Sequence, residues 1–109
     1  MLQWRDLTSE SQLDEILALS DTLPVAIFKH STRCSRSAHA KYRLEKDWTY
    51  PETDMPAYYL DLLEYRNISD AVARITGVSH QSPQLIILRN RQVVYNASHE
   101  SISVEKIAV

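Results

Sequence analysis

The chain has 109 residues, 44% of them hydrophobic and 24% charged, with a net charge of −2 at neutral pH. Those values fit one small globular domain over residues 1–109 and give no electrostatic case for nucleic acid or a membrane surface as partner. No apolar run reaches the ~18 residues of a membrane helix.

In chain order, a brief strand around Gln3 and Trp4 would precede the first helix. That helix starts at Thr8, with Thr8 or Ser9 as cap and Leu13, Ile16, Leu17 and Leu19 on one face. Asp21-Thr22-Leu23-Pro24 breaks it. Val25-Ala26-Ile27-Phe28 is a continuous apolar run, as expected of a strand buried on both faces. A second helix is predicted from Ser35 to Asp47, with Ala38, Tyr42 and Leu44 to Trp48 roughly at helical spacing. Tyr50 to Pro56 reads as a turn region, and Ala57 to Leu63 as a second central strand.

Asn67 or Ser69 opens a third helix, with Ile68, Val72 and Ile75 on its inner face and Gly77 at its left-handed end. A polar stretch from Val78 to Pro83 then leads into a strand over Gln84 to Leu88. Arg89-Asn90-Arg91-Gln92 forms a tight turn, Asn being the best non-glycine residue for positive φ. Val93 to Tyr95 returns, and a final helix is predicted from Ser101 or Ser103 to the end. Strands alternating with helices imply an α/β fold: a central mixed sheet with parallel βαβ units, a C-terminal antiparallel β-hairpin, and flanking helices.

This order places Cys34, the chain's single cysteine, between the first buried strand and the next helix. One cysteine cannot close an internal disulfide, and the opening MLQWRDLTSE lacks the order of a secretory leader, so the cytoplasm is the expected location. Loops at the carboxyl ends of strands are where open α/β sheets gather chemistry. A helix N-terminus and the flanking Arg33 and Arg36 favour thiolate over thiol, and the thiolate is the nucleophile. An inert small residue near a helix cap is the bland alternative.

Spacing separates the uses of such a thiol. A phosphatase loop needs Arg six positions on, where Ala40 stands. A dithiol oxidoreductase needs a second Cys at position 37, which is Ser37; its hydroxyl can donate to a thiolate but cannot attack a mixed disulfide. Zinc held by His30, Cys34 and His39 lacks an evident fourth ligand. A monothiol site remains. It takes a small thiol from a mixed disulfide and waits for a second thiol to release it.

Phe28-Lys29-His30-Ser31-Thr32-Arg33-Cys34, with Ser37 following, resembles the bacillithiol-system monothiol proteins of the YtxJ, or bacilliredoxin C, family. Tyr58-Tyr59-Leu60, Gly77-Val78 and Ser82-Pro83-Gln84 fit the same pattern, which runs across nearly the whole chain. The resemblance implies a thioredoxin-like fold and removal of bacillithiol from S-bacillithiolated proteins, with Cys34 attacking and bacillithiol as thiol co-substrate. No other cofactor is implied. It makes Pro83 a cis proline facing the thiol and Ser82 its substrate-facing neighbour.

The pair Ser35-Arg36 departs from the Pro-Ile that often follows the cysteine in that family. The change restores a backbone N–H beside the sulfur and adds a cation. Bacillithiol carries a malate unit, so Arg33, Arg36 and Lys29 are chemically sensible contacts for its carboxylates, or else a solvated basic rim. His30 is placed to tune the thiol or protonate a leaving thiolate, or to pair with backbone. His80 lies near the proline loop, His99 reads as surface, and Trp4, Trp48 and the tyrosines read as packing residues. Two other classes stay open: a non-catalytic thioredoxin-like binding or redox-sensing module, and a dimeric iron–sulfur site permitted by Cys-x-x-Ser. The latter's surroundings do not resemble the glutaredoxin pattern.

Overall fold

The computed structural model describes residues 2–108. Five strands and three α-helices follow in the order β1 (Trp4–Asp6), α1 (Ser11–Ser20), β2 (Val25–His30), α2 (Ser35–Asp47), β3 (Ala57–Asp61), α3 (Arg66–Thr76), β4 (Gln84–Arg89) and β5 (Gln92–Ser98). The sheet order is β1-β3-β2-β4-β5. β1 and β2 flank β3 in parallel, and β4 runs antiparallel to both β2 and β5. The parallel half arises because α1 and α2 each carry the chain back across the sheet before the next strand begins.

Strand alternation divides the core in two. Val25 and Ile27 of β2, with Ile86 and Leu88 of β4, point to the face covered by Leu13 and Ile16 of α1 and Ile68, Ala71 and Val72 of α3. Ala26, Phe28, Leu85 and Ile87 point the other way, onto Ala40 and Leu44 of α2, Trp48, and Ile102, Val104 and Ile107 of the C-terminal segment. Burial on both faces is why β2 and β4 read as unbroken apolar runs. Leu44 is 1% exposed at the centre of the second cluster, so Leu44→Ala costs about 2–5 kcal/mol.

Several local expectations need correction. α1 starts at Ser11 without a Thr8 or Ser9 side-chain cap. Instead Gln12 reaches back: its Oε1 accepts from the backbone N–H of Thr8 at 2.7 Å and of Ser9 at 3.1 Å, and its Nε2 donates to Asp6 O. α2 has the predicted bounds, but its inner face is Ser37, Ala40 and Leu44, whereas Ala38 and Tyr42 are exposed. Ile75 is also exposed, and Ser69 and Ala71 join Ile68 and Val72 inside α3.

The final α-helix is replaced by two 3-10 turns, His99–Ser101 and Val104–Lys106, because Ile102, Val104 and Ile107 all turn onto the α2 face of the core. Val109, the last residue of that expected helix, lies outside the described residues. The hairpin turn does use positive φ, at Asn90 (54°) and Arg91 (63°). Ser20, fully buried at the end of α1, pins it: Ser20 O accepts from Asn90 N–H, and Ser20 Oγ accepts from Arg91 N–H.

Candidate active site

Cys34 is the N-cap of α2, extended at φ −112° and ψ 121°, and partly exposed. Its carbonyl accepts the Ala38 N–H at 3.0 Å, and its own N–H donates to Ser31 O at 3.2 Å. The sulfur therefore sits at the mouth of a helix whose first N–H groups have no intrahelical acceptor. A negative charge is favoured there.

The loop is locked from beneath by Ser37. This side chain is fully buried and accepts the Ser31 N–H at 3.0 Å. Its Oγ also shares a 2.7 Å hydrogen bond with His30 Nδ1. The hydroxyl is thus engaged inside the loop rather than with Cys34, as its sequence position suggested. His30 is 5% exposed, stacked on Phe28 and tilted against Tyr59, with ring centroids 5.8 and 5.5 Å apart. Burial, aided by the nearby Lys41 charge, pushes the His30 pKa down, so the neutral ring is favoured. Trp4 completes the aromatic patch, stacking on Phe28 and donating Nε1–H to Glu45 Oε2 at 2.7 Å.

The opposite wall is the loop before β4. The Ser82–Pro83 peptide bond is cis. Three residues, Gln84, His99 and Lys29, hold this loop. Gln84, 1% exposed, donates Nε2–H to Ser79 O at 3.0 Å and accepts from the Gln81 N–H at 3.4 Å. The His99 N–H donates to Pro83 O at 3.0 Å. Lys29 Nζ donates to Ser69 O at 3.2 Å and lies 3.3 Å from His80 Nδ1. Ser82 Oγ is buried without a hydrogen-bond partner, the one such side chain among the described residues.

Lys29 has a different place from the one expected of a carboxylate contact. It is fully buried on the α3 face of the sheet, one residue before His30 on the α2 face. Burial lowers its pKa to about 8, against the opposing pull of Asp70. His80 is lowered as well, first by burial and then by the Lys29 charge. Arg33 is exposed and, among the described residues, forms no ion pair. Arg36 is exposed but bonded to Glu100 at 2.7 Å. His39 is exposed on α2, and no three His, Cys, Asp or Glu side chains among the described residues gather as a metal site.

His30 ends β2, Cys34 and Ser37 follow at the start of α2, and Pro83 precedes Gln84, which pairs with Lys29 of β2. The sequence reading missed Gln84, Ser69 and Arg43, which hold the proline side, and Glu100, which pairs with Arg36. Gln84 had a usable signal: an amide opening an otherwise apolar buried strand needs internal partners.

A family model described as monothiol bacilliredoxin BrxC matches residues 5–107. The chain belongs to the monothiol bacilliredoxin family. A solved structure described as a candidate oxidoreductase with a thioredoxin fold is 34% identical, covering 92% of this chain and 86% of its own, with a TM-score of 0.78. Thioredoxin from Malassezia sympodialis (Mala s 13) is 18% identical over 91% of this chain and 81% of its own, with a TM-score of 0.71. Thioredoxin from Trypanosoma brucei brucei is also 18% identical, over 89% and 79%, with a TM-score of 0.70. This bacilliredoxin therefore has a thioredoxin-like fold, and its family and its 34%-identical neighbour indicate thiol oxidoreductase chemistry. Among the described residues, no helix is long and apolar enough to cross a membrane.

Proposed function

We propose that the chain is a single domain that removes bacillithiol from protein mixed disulfides through Cys34, working in the cytoplasm. The observation that carries the reading is a lone, partly exposed thiol at the N-cap of α2, in a chain with no second cysteine. The Cys34 thiolate attacks the small thiol's sulfur. A Cys34–bacillithiol disulfide forms, and the client's sulfur leaves as thiolate and takes a proton. A second small thiol then attacks that disulfide, restoring the Cys34 thiolate and leaving as the small-thiol disulfide. Ser37 cannot perform this second attack.

In this reading Arg33, and Arg36 once released from Glu100, receive the malate carboxylates, and the backbone at Ser82 and Pro83 lines the client's disulfide. Ser37 and His30 shape the thiol loop, and Lys29 supports the proline loop without touching the small thiol. The test is intact mass after mixing reduced protein with a client carrying bacillithiol, and with its glutathione-loaded twin. Transfer onto Cys34, faster from the bacillithiol client and absent in Cys34→Ser, is the expected result. No transfer from either client would leave a thioredoxin-like binding module as the better account.

A further inference from the structure

Arg36 does not stand free beside the thiol. Its Nη2 lies 2.8 and 2.7 Å from the two carboxylate oxygens of Glu100. That bond raises the pKa of the guanidinium, and Arg36 stands in the first turn of α2, two residues after the Cys34 N-cap. The same bond holds the Glu100 carboxyl below its ordinary value.

Glu100 itself is held in place. It belongs to the turn His99–Ser101, whose first N–H is bound to Pro83 O. Arg43 Nη2 donates to His99 O and to Ile102 O, each at 3.3 Å. The turn thus bridges the proline wall to α2 and presents a carboxylate to the residue two places after the thiol. Both charged side chains remain exposed, 57% for Arg36 and 69% for Glu100. Such a pair adds little to stability, but its charges act on solutes approaching Cys34.

We propose that Glu100 is a specificity-determining residue: by engaging Arg36 it withholds that cation from the substrate, and so sets how far the site favours anionic small thiols over neutral or cationic ones. The inference rests on the thiol-transfer reading above. A small thiol bearing carboxylates must either use Arg33 or displace Glu100 from Arg36, and Glu100 repels it on the second route. A cationic small thiol meets the reverse situation.

The experiment follows the second-order formation of a mixed disulfide on Cys34 by mass spectrometry. Three symmetric disulfides serve as probes: glutathione disulfide (anionic), hydroxyethyl disulfide (neutral) and cystamine (cationic). In each reaction the Cys34 thiolate attacks one sulfur, Cys34–S–S–R forms and R–S⁻ leaves. At low salt Glu100→Gln is expected to speed glutathione disulfide by about threefold or more, slow cystamine and leave the neutral probe unchanged. Arg36→Gln reverses the first two effects, the double variant returns toward the wild-type ratio, and half-molar salt compresses all of them.

Equal shifts for all three probes in Glu100→Gln would show that the turn acts through packing and would overturn the proposal. Unchanged rates would overturn it too. A wild-type Cys34 inert to all three probes would instead remove the thiol-transfer reading on which the proposal stands.

Discussion

Lys29 and His30 are neighbours in one strand, both buried, and they anchor opposite walls of the same site. His30 faces α2 and holds the thiol loop through bonds of 2.7 and 3.0 Å, centred on Ser37 and made by neutral groups. Lys29 faces α3 and reaches the proline side through longer contacts of 3.2 and 3.3 Å, made by a group that burial makes costly to charge. The thiol wall thus depends on a single serine. The proline wall is also held by Gln84 and by the His99 N–H, so it can lose Lys29 and keep its shape. A neutral network stabilises when fully satisfied, whereas a buried charge mostly recovers its own desolvation.

Within the site, the largest effect expected at neutral pH follows from that contrast. Ser37→Ala leaves His30 Nδ1 and the Ser31 N–H without their partner at a buried position. It is expected to cost about 2 kcal/mol in urea unfolding and to slow thiol transfer, because the loop carrying Cys34 loosens. Lys29→Met keeps the buried stem, removes the ammonium and leaves Ser69 Oγ bonded to His80 Nδ1 at 3.2 Å. Its cost at pH 7 is expected to stay below about 1 kcal/mol of either sign. A Lys29→Met loss as large as that of Ser37→Ala would break the comparison.

Much of this was legible before the structure, for reasons particular residues supply. The runs at Val25 and Gln84 announce strands because both faces of each are buried. Gly77 marks the end of α3 because its φ is +73°. Cys34 falls at a helix start because polar residues separate β2 from α2. What stayed hidden is long-range pairing. Nothing in Lys29-His30 says that the cation turns inward, since lysine is almost never fully buried. Nothing local links Arg36 to Glu100, which is 64 residues away. The inner face of α2 does not stand out in the sequence because a serine, Ser37, takes one of its buried positions, while the apolar Ala38 and Tyr42 are exposed.

The two anchors also divide the pH axis. Lys29 has a folded pKa of about 8 against an ordinary 10.5, so the unfolded chain binds more protons between those values. Stability from this group is complete above the upper value and is lost as pH falls through the lower one. The wild type should therefore gain stability on going from about pH 8 toward 10.5, by at most about 3 kcal/mol from this group. Lys29→Met should remove that rise. His30 is lowered from 6.5, so its contribution is present above 6.5 and lost as pH falls through its folded value. Urea midpoints across pH would show the alkaline rise vanishing in Lys29→Met while the acid loss stays. An alkaline rise that survives in that variant would mean another group carries it.

The smallest effect sharpens the comparison from outside. Arg36–Glu100 is as short as the His30–Ser37 bond, at 2.7 Å, yet it lies in solvent. Water replaces each partner when the pair opens, so distance alone does not measure its worth. Glu100→Gln should leave the unfolding midpoint unchanged at any pH between the two windows, while the rates with charged disulfides move. A midpoint that falls with Glu100→Gln would mean the turn at His99–Ser101 braces the proline wall through that carboxylate. Glu100 would then belong with Gln84 among the residues that hold the loop, not with those that choose its substrate.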